Sequence, residues 1–361
     1  MRILRRVLLV AGVGALLAGT VLVTSSGPAV AARPSLGRVH LAEMLFHYPR
    51  AVASDGTHVW VANDGGPSVT ELSAKTGGLV QMISAPSYKF YQPSAIASDG
   101  THVWVANYSN SVTELSAKTG GLVQVISAPS YGFAAPSAIA SDRTHVWVAN
   151  DSPAGVGSGH GGTSLTELSA KTGGLVQVIS GPSYKFNQPD AVASDGTHVW
   201  VANDGGLSVT ELNAKTGGLV QVISGPSYKF NAPGAIATDG AHVWITNRSN
   251  SVTELSAKTG GLVQVISGPS YKFNQPDAVA SDGAHVWITN GSSSVTVLSS
   301  VTELSAKTGR LAQVISGPSY KFYQPDAVAS DGTHVWVANY YANTLVELSA
   351  KTGGLVQVIS G

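Results

Sequence analysis

Seven histidines in this chain each stand three residues after an aspartate. They are His58, His102, His145, His198, His242, His285 and His334, behind Asp55, Asp99, Asp142, Asp195, Asp239, Asp282 and Asp331. Asp and His at short spacing are the raw material of metal binding and of general acid–base chemistry. A metal site, however, needs several ligands converging on one ion at about 2 Å. Equivalent pairs spread evenly along a chain do not converge. Each Asp therefore reads as a turn residue bonded to its own hairpin, and each His as the start of the next strand. Three histidines fall outside the pattern: His40, His47 and His160. His160 is the most individual, because it sits in a Gly-rich stretch from Ser152 to Thr163.

Composition excludes other chemistry. The chain has no Cys, so it has no disulfide scaffold, thiolate nucleophile or Cys-ligated metal. Lys plus Arg and Asp plus Glu both number 21, which leaves no basic excess to neutralise a nucleic-acid backbone. The seven repeated glutamates, Glu71 through Glu347, read as solvated surface positions worth little in stability. The Lys of each Ala-Lys-Thr-Gly turn reads the same way.

The elements that must position these residues are repeats. Trp60, Trp104, Trp147, Trp200, Trp244, Trp287 and Trp336 recur every 43 or 44 residues, apart from two longer steps. One longer step is the Gly-rich stretch. The other is a slip in which Ser294–Ser299 is nearly repeated by Ser300–Ser305. Each unit holds four short β-rich runs separated by Asp-Gly and Gly-Gly turn signals. Four strands per repeat at this period is the pattern of a propeller blade. The fold expected is all-β, a seven-bladed β-propeller with four antiparallel strands per blade, the blades beginning near 50, 94, 137, 190, 234, 277 and 326. Each Trp should pack between neighbouring blades. Gly37–Ala42 resembles the fourth-strand unit Gly354–Ile359, so either copy is a candidate to close the ring.

Residues 1–31 read as a signal peptide. Arg2, Arg5 and Arg6 precede an apolar run from Val7 to Val23, and Ala29-Val30-Ala31 supplies a small-residue exit. Cleavage would leave residues 32–361 as the propeller, with no stable membrane span. The mature chain is expected to be secreted or held in the cell envelope, and to be monomeric.

The unit Asp55–Asn63, DGTHVWVAN, resembles the YVTN-type β-propeller repeat. Blades five and six come closest, with Trp244-Ile245-Thr246-Asn247 and Trp287-Ile288-Thr289-Asn290. The following Val-Thr-Glu-Leu-x-Ala-Lys-Thr-Gly is similar to that family's third strand and turn. The resemblance implies the fold and leaves function open, since the family spans enzymes, surface proteins and binding modules. The Ala-Lys-Thr-Gly turn is also similar to quinoprotein dehydrogenase blades. Those carry Trp in the fourth strand, where this chain has Gln-Val-Ile, so a quinone cofactor is rejected.

A site is best sought where the repeats differ. After each loop proline stand Arg50, Ser94, Ser137, Asp190, Gly234, Asp277 and Asp326. These positions should line the mouth of the central channel, with Asp277, Asp326 and Arg50 side by side once the ring closes. Such a cluster suits a polar ligand or a divalent cation, since carboxylates are natural Ca²⁺ and Mg²⁺ ligands. Otherwise Asp simply caps its own loop. A second candidate is a rim of Lys89, Lys185, Lys229, Lys272 and Lys321, each following a Tyr, with His160 possible beside it. No individual catalytic constellation stands out. The reading is a non-enzymatic module that binds a protein or glycan and requires no cofactor. The alternative is an enzyme resembling streptogramin lyases or sugar lactonases, with a metal or polar site at the channel mouth.

Overall fold

A computed structural model describes residues 44–151, 163–291 and 299–361. Residues 1–31, read above as a signal peptide, the segment 37–42, His40 and His160 lie outside the described residues. The described chain forms seven four-stranded antiparallel sheets, each in the order of its sequence. They are the seven blades of a propeller ring. The innermost strands are Pro49–Ser54, Pro93–Ser98, Pro136–Ser141, Pro189–Ser194, Pro233–Thr238, Pro276–Ser281 and Pro325–Ser330.

Blade one shows why the sequence folds this way. His58–Asn63 and Ser68–Ser73 are the second and third strands, and both are buried almost throughout. Each packs a neighbouring blade on either face, which suits the β-branched and aromatic runs found there. In the turn before the second strand, Asp55 Oδ1 accepts from the backbone N–H of Thr57 and His58 at 2.8 and 2.7 Å. Gly56 supplies the required φ of 81°. The outer strand, Leu79–Ile83, leaves Leu79 and Val80 about half exposed. Val80 is itself bulged against the third strand, which disrupts an otherwise pairable edge.

Every Trp is fully buried, between its own blade and the next. Trp60 packs with Ile96, Val103 and Leu115 of blade two. Trp336 of blade seven packs with Val52, Val59 and Leu72 of blade one, closing the circle. Tyr88 stacks on Phe90 at 5.5 Å, and both pack against the Trp60 cluster.

The repeated glutamates correct the sequence expectation. Glu71, Glu114, Glu167, Glu211 and Glu254 are each 1% exposed, not solvated. They stand on the third strand, where both faces are covered. The fourth-strand glutamine neutralises part of the penalty: Gln221 Nε2 donates to Glu211 Oε2 at 2.7 Å. The same amide donates to Thr259 O of the next blade at 2.9 Å. His198 Nε2 lies 3.8 Å from the other Glu211 oxygen. Burial holds the Glu211 carboxyl above its ordinary range, with Gln221 and His198 opposing it. A side chain at Gly260, whose φ is 65°, would collide with Gln221, so the glycine makes room for this latch. Gln221→Ala leaves a buried acceptor short of a donor and is expected to destabilise by about 1–3 kcal/mol, measurable by urea unfolding.

Blade seven is completed by its own C-terminal strand, Leu355–Ser360. Among the described residues, the ring therefore closes without exchanging a strand. Gln357 Nε2 donates to Thr76 O at 2.9 Å, Ser54 Oγ to Asp331 Oδ2 at 3.2 Å, and Tyr48 N to Asn343 Oδ1 at 2.8 Å. Phe46 is buried at the seam in the place that loop phenylalanines occupy elsewhere.

Candidate functional site

The channel opens at two mouths. One, about 500 Å³, is ringed by the Ser-Asp turns between first and second strands. Its aspartates are engaged in the fold. Beyond their turn bonds, Asp55, Asp142, Asp282 and Asp331 accept from a serine of the following blade, Ser194 Oγ donating to Asp142 Oδ2 at 2.8 Å. Burial pushes Asp142, Asp282 and Asp331 up, but donation from the His backbone N–H and its neighbours outweighs it. All three end below the usual carboxylate value.

The other mouth, about 310 Å³, gathers Arg50, Ser94, Ser137, Asp190, Gly234, Asp277 and Asp326. One backbone feature places them all. Each innermost strand slips register just after its proline, and the residue named is the one left unpaired. Such bulges re-aim a side chain. Ser94 and Ser137 use this to seal blades: their hydroxyls donate to Pro136 O and Pro189 O at 2.7 and 2.6 Å. Gly234 and the four charged residues occupy the rest of the circle.

Arg248 and Gln324 complete this opening. Arg248 reaches Asp190 at 3.7 Å and Asp204 at 3.6 Å. Burial raises Asp190 to about 6 despite Arg248. Burial and the neighbouring Asp326 charge push Asp277 up to about 7, with Arg248 and Arg50 opposing. Burial also raises Asp326, against the pull of Arg50. The Asp277 carboxylate lies close over Gly291, where any side chain would displace it. Among the described residues, no group of three or more His, Cys, Asp or Glu is placed to hold a metal ion.

Arg248 belongs to a second variable ring, the position after each second-strand Asn: Asp64, Tyr108, Asp151, Asp204, Arg248, Gly291 and Tyr340. Comparing repeats at that position would have found it. Beside the opening, at the junction of blades seven and one, this ring contributes to an aromatic cluster with no counterpart among the other described blade junctions. Tyr48 stacks on Tyr340 at 5.1 Å. Tyr341 meets Tyr340 at 5.1 Å and Tyr323 at 5.7 Å. Tyr340 donates its hydroxyl to Asp64 at 3.2 Å, and burial together with that carboxylate raises its pKa to about 12. Tyr48 adopts φ 52°, where other blades carry Gln or Ala, a strained backbone for a bulky side chain.

The lysines stand apart from this. Lys89, Lys185, Lys229, Lys272 and Lys321 are exposed, each with φ between 50° and 56°. Gly132 takes the equivalent place after Tyr131 with φ 63°. None lines the channel opening.

No protein-family model matches the chain, and no curated protein matches it. Solved structures do share the fold. Kuenenia stuttgartiensis hydrazine synthase superposes with a TM-score of 0.62 at 17% identity, over 83% of this chain and 95% of that one. The computationally designed Ika8 protein superposes with a TM-score of 0.60 at 15% identity, over 87% and 89%. At these identities the likeness is one of fold, and fold does not carry function.

Proposed function

We propose that the chain is an exported, non-enzymatic propeller that binds a protein or glycan partner at the Arg50–Asp326 mouth. One observation carries this reading. Blade-to-blade variation in charge is concentrated at that mouth, against Arg143 alone at the other, while the repeated Asp, His, Glu and Trp are engaged in holding the ring. The leader-like N-terminus and the YVTN-type resemblance support export.

The test uses residues 32–361 on beads against extracytoplasmic extract, and on a glycan array. Asp190→Asn with Arg248→Ala should reduce retention at least tenfold while Tm moves by only a few degrees. Undiminished retention would remove the site from this mouth. Melting with calcium, magnesium or chelator forms the second arm. A cation-dependent rise in Tm that is lost in Asp277→Ala would move the assignment to a divalent-cation site of the lyase or lactonase kind.

A further inference from the structure

We infer that this mouth recognises a lysine-type primary ammonium, its aliphatic stem lying on the tyrosine cluster and its charged end entering the opening. The inference deepens the binding reading above and rests on it.

Charge comes first. Arg50 and Arg248 are the cations at the two variable rings, against Asp64, Asp151, Asp190, Asp204, Asp277 and Asp326. The excess is acidic. Arg248 is engaged by Asp190 and Asp204. Asp277 and Asp326 have no ion pair within 4.0 Å among the described residues. Gln324 Oε1, on the same wall, is buried without a hydrogen-bond partner among the described residues. The wall thus offers two carboxylates as acceptors, with the Gln324 side chain bonded to Asp326 beside them. An ammonium has three donors and no acceptor.

The aromatic cluster selects an organic cation over a bare metal ion. Tyr48, Tyr323 and Tyr341 are 37–42% exposed, the outer lip of the site. Aromatic faces attract alkylammonium groups and cover their methylenes. The cluster joins the opening through the chain itself. Tyr48 stands two residues before Arg50, Tyr323 three before Asp326, and Tyr340 N donates to Gln324 O at 3.0 Å.

Depth selects the shape. The acceptors are recessed, with Asp277 tucked over Gly291, while the rings stand at the surface. A ligand that touches both needs a thin stem between its apolar part and its charge. A lysine side chain has one. An amino sugar carries its nitrogen directly on a bulky ring.

The probe is Nα-acetyl-lysine N-methylamide, followed by NMR titration of residues 32–361. A Kd on the order of 1 mM is expected for a ligand of this size. Asp277→Asn with Asp326→Asn should weaken it at least tenfold. Tyr341→Ala should weaken it about fivefold, and Tyr341→Phe should restore it. The Nε-acetylated probe, which lacks the charge, should not bind. Equal binding of the acetylated probe, unchanged affinity in the double variant, or no saturable binding would each overturn the inference. Tighter binding of glucosamine would replace the lysine with an amino sugar. If the lysine probe fails while partner capture persists, the binding reading survives; if both fail, it does not.

Discussion

Trp200→Ala is expected to destabilise the protein by about 3–5 kcal/mol, the range for truncating a core Trp. Trp200 is fully buried, packed against Ile236, Val243, Ile245 and Leu255 of the next blade. Its Nε1 has no hydrogen-bond partner among the described residues, so the loss is one of packing alone. No second indole can move in, because each neighbour is wedged at its own junction. Urea unfolding read by circular dichroism measures the change. A loss below about 1 kcal/mol would mean that the indole is not what joins blades four and five.

Asp277→Asn should do the opposite above neutral pH. Burial and Asp326 raise Asp277 to about 7 in the folded protein, from 3.8 for an ordinary aspartate. The groups facing it are Asp326, Arg248, Arg50 and Asp190. A raised carboxyl pKa means that the fold favours the proton. The contribution is present in full below about pH 4 and is lost as pH climbs through about 7. The amide keeps the shape and never ionises. Its advantage should be absent near pH 3.5, grow from there, and level off above pH 7. Three units at about 1.4 kcal/mol each set an upper bound of about 4 kcal/mol, and screening at an open mouth reduces it to about 1–2 kcal/mol. Melting curves of both proteins from pH 3.5 to 8.5 would show the gap widening. A gap that narrows with pH would refute the assignment.

Much of the fold is legible in the sequence because the chain repeats itself. Regular Trp spacing sets the blade, Asp-Gly sets the hairpins, and seven copies set the ring. The residues after the loop prolines share one opening because a bulge there turns each toward the channel. The buried glutamates are not legible in the sequence, for an equally physical reason. Alternation along a strand tells inside from outside only when one face meets water, and the third strand has no such face. The partner was visible as the Gln ten residues on, at Gln81 for Glu71. Arg248, Asp64 and the tyrosine cluster escaped because they converge from separate blades, and only the closed circle brings Tyr48 to Tyr340.

That closure has a mechanical consequence. Six junctions carry a covalent loop from one blade to the next, whereas among the described residues blade seven meets blade one through side chains and a few hydrogen bonds. Arg50 and Tyr48 stand on one bank of this join, Asp326, Tyr340 and Tyr341 on the other. A guest spanning both banks acts as a rivet. Capture and cohesion of the wheel become one event, and whatever springs the joint also ejects the guest.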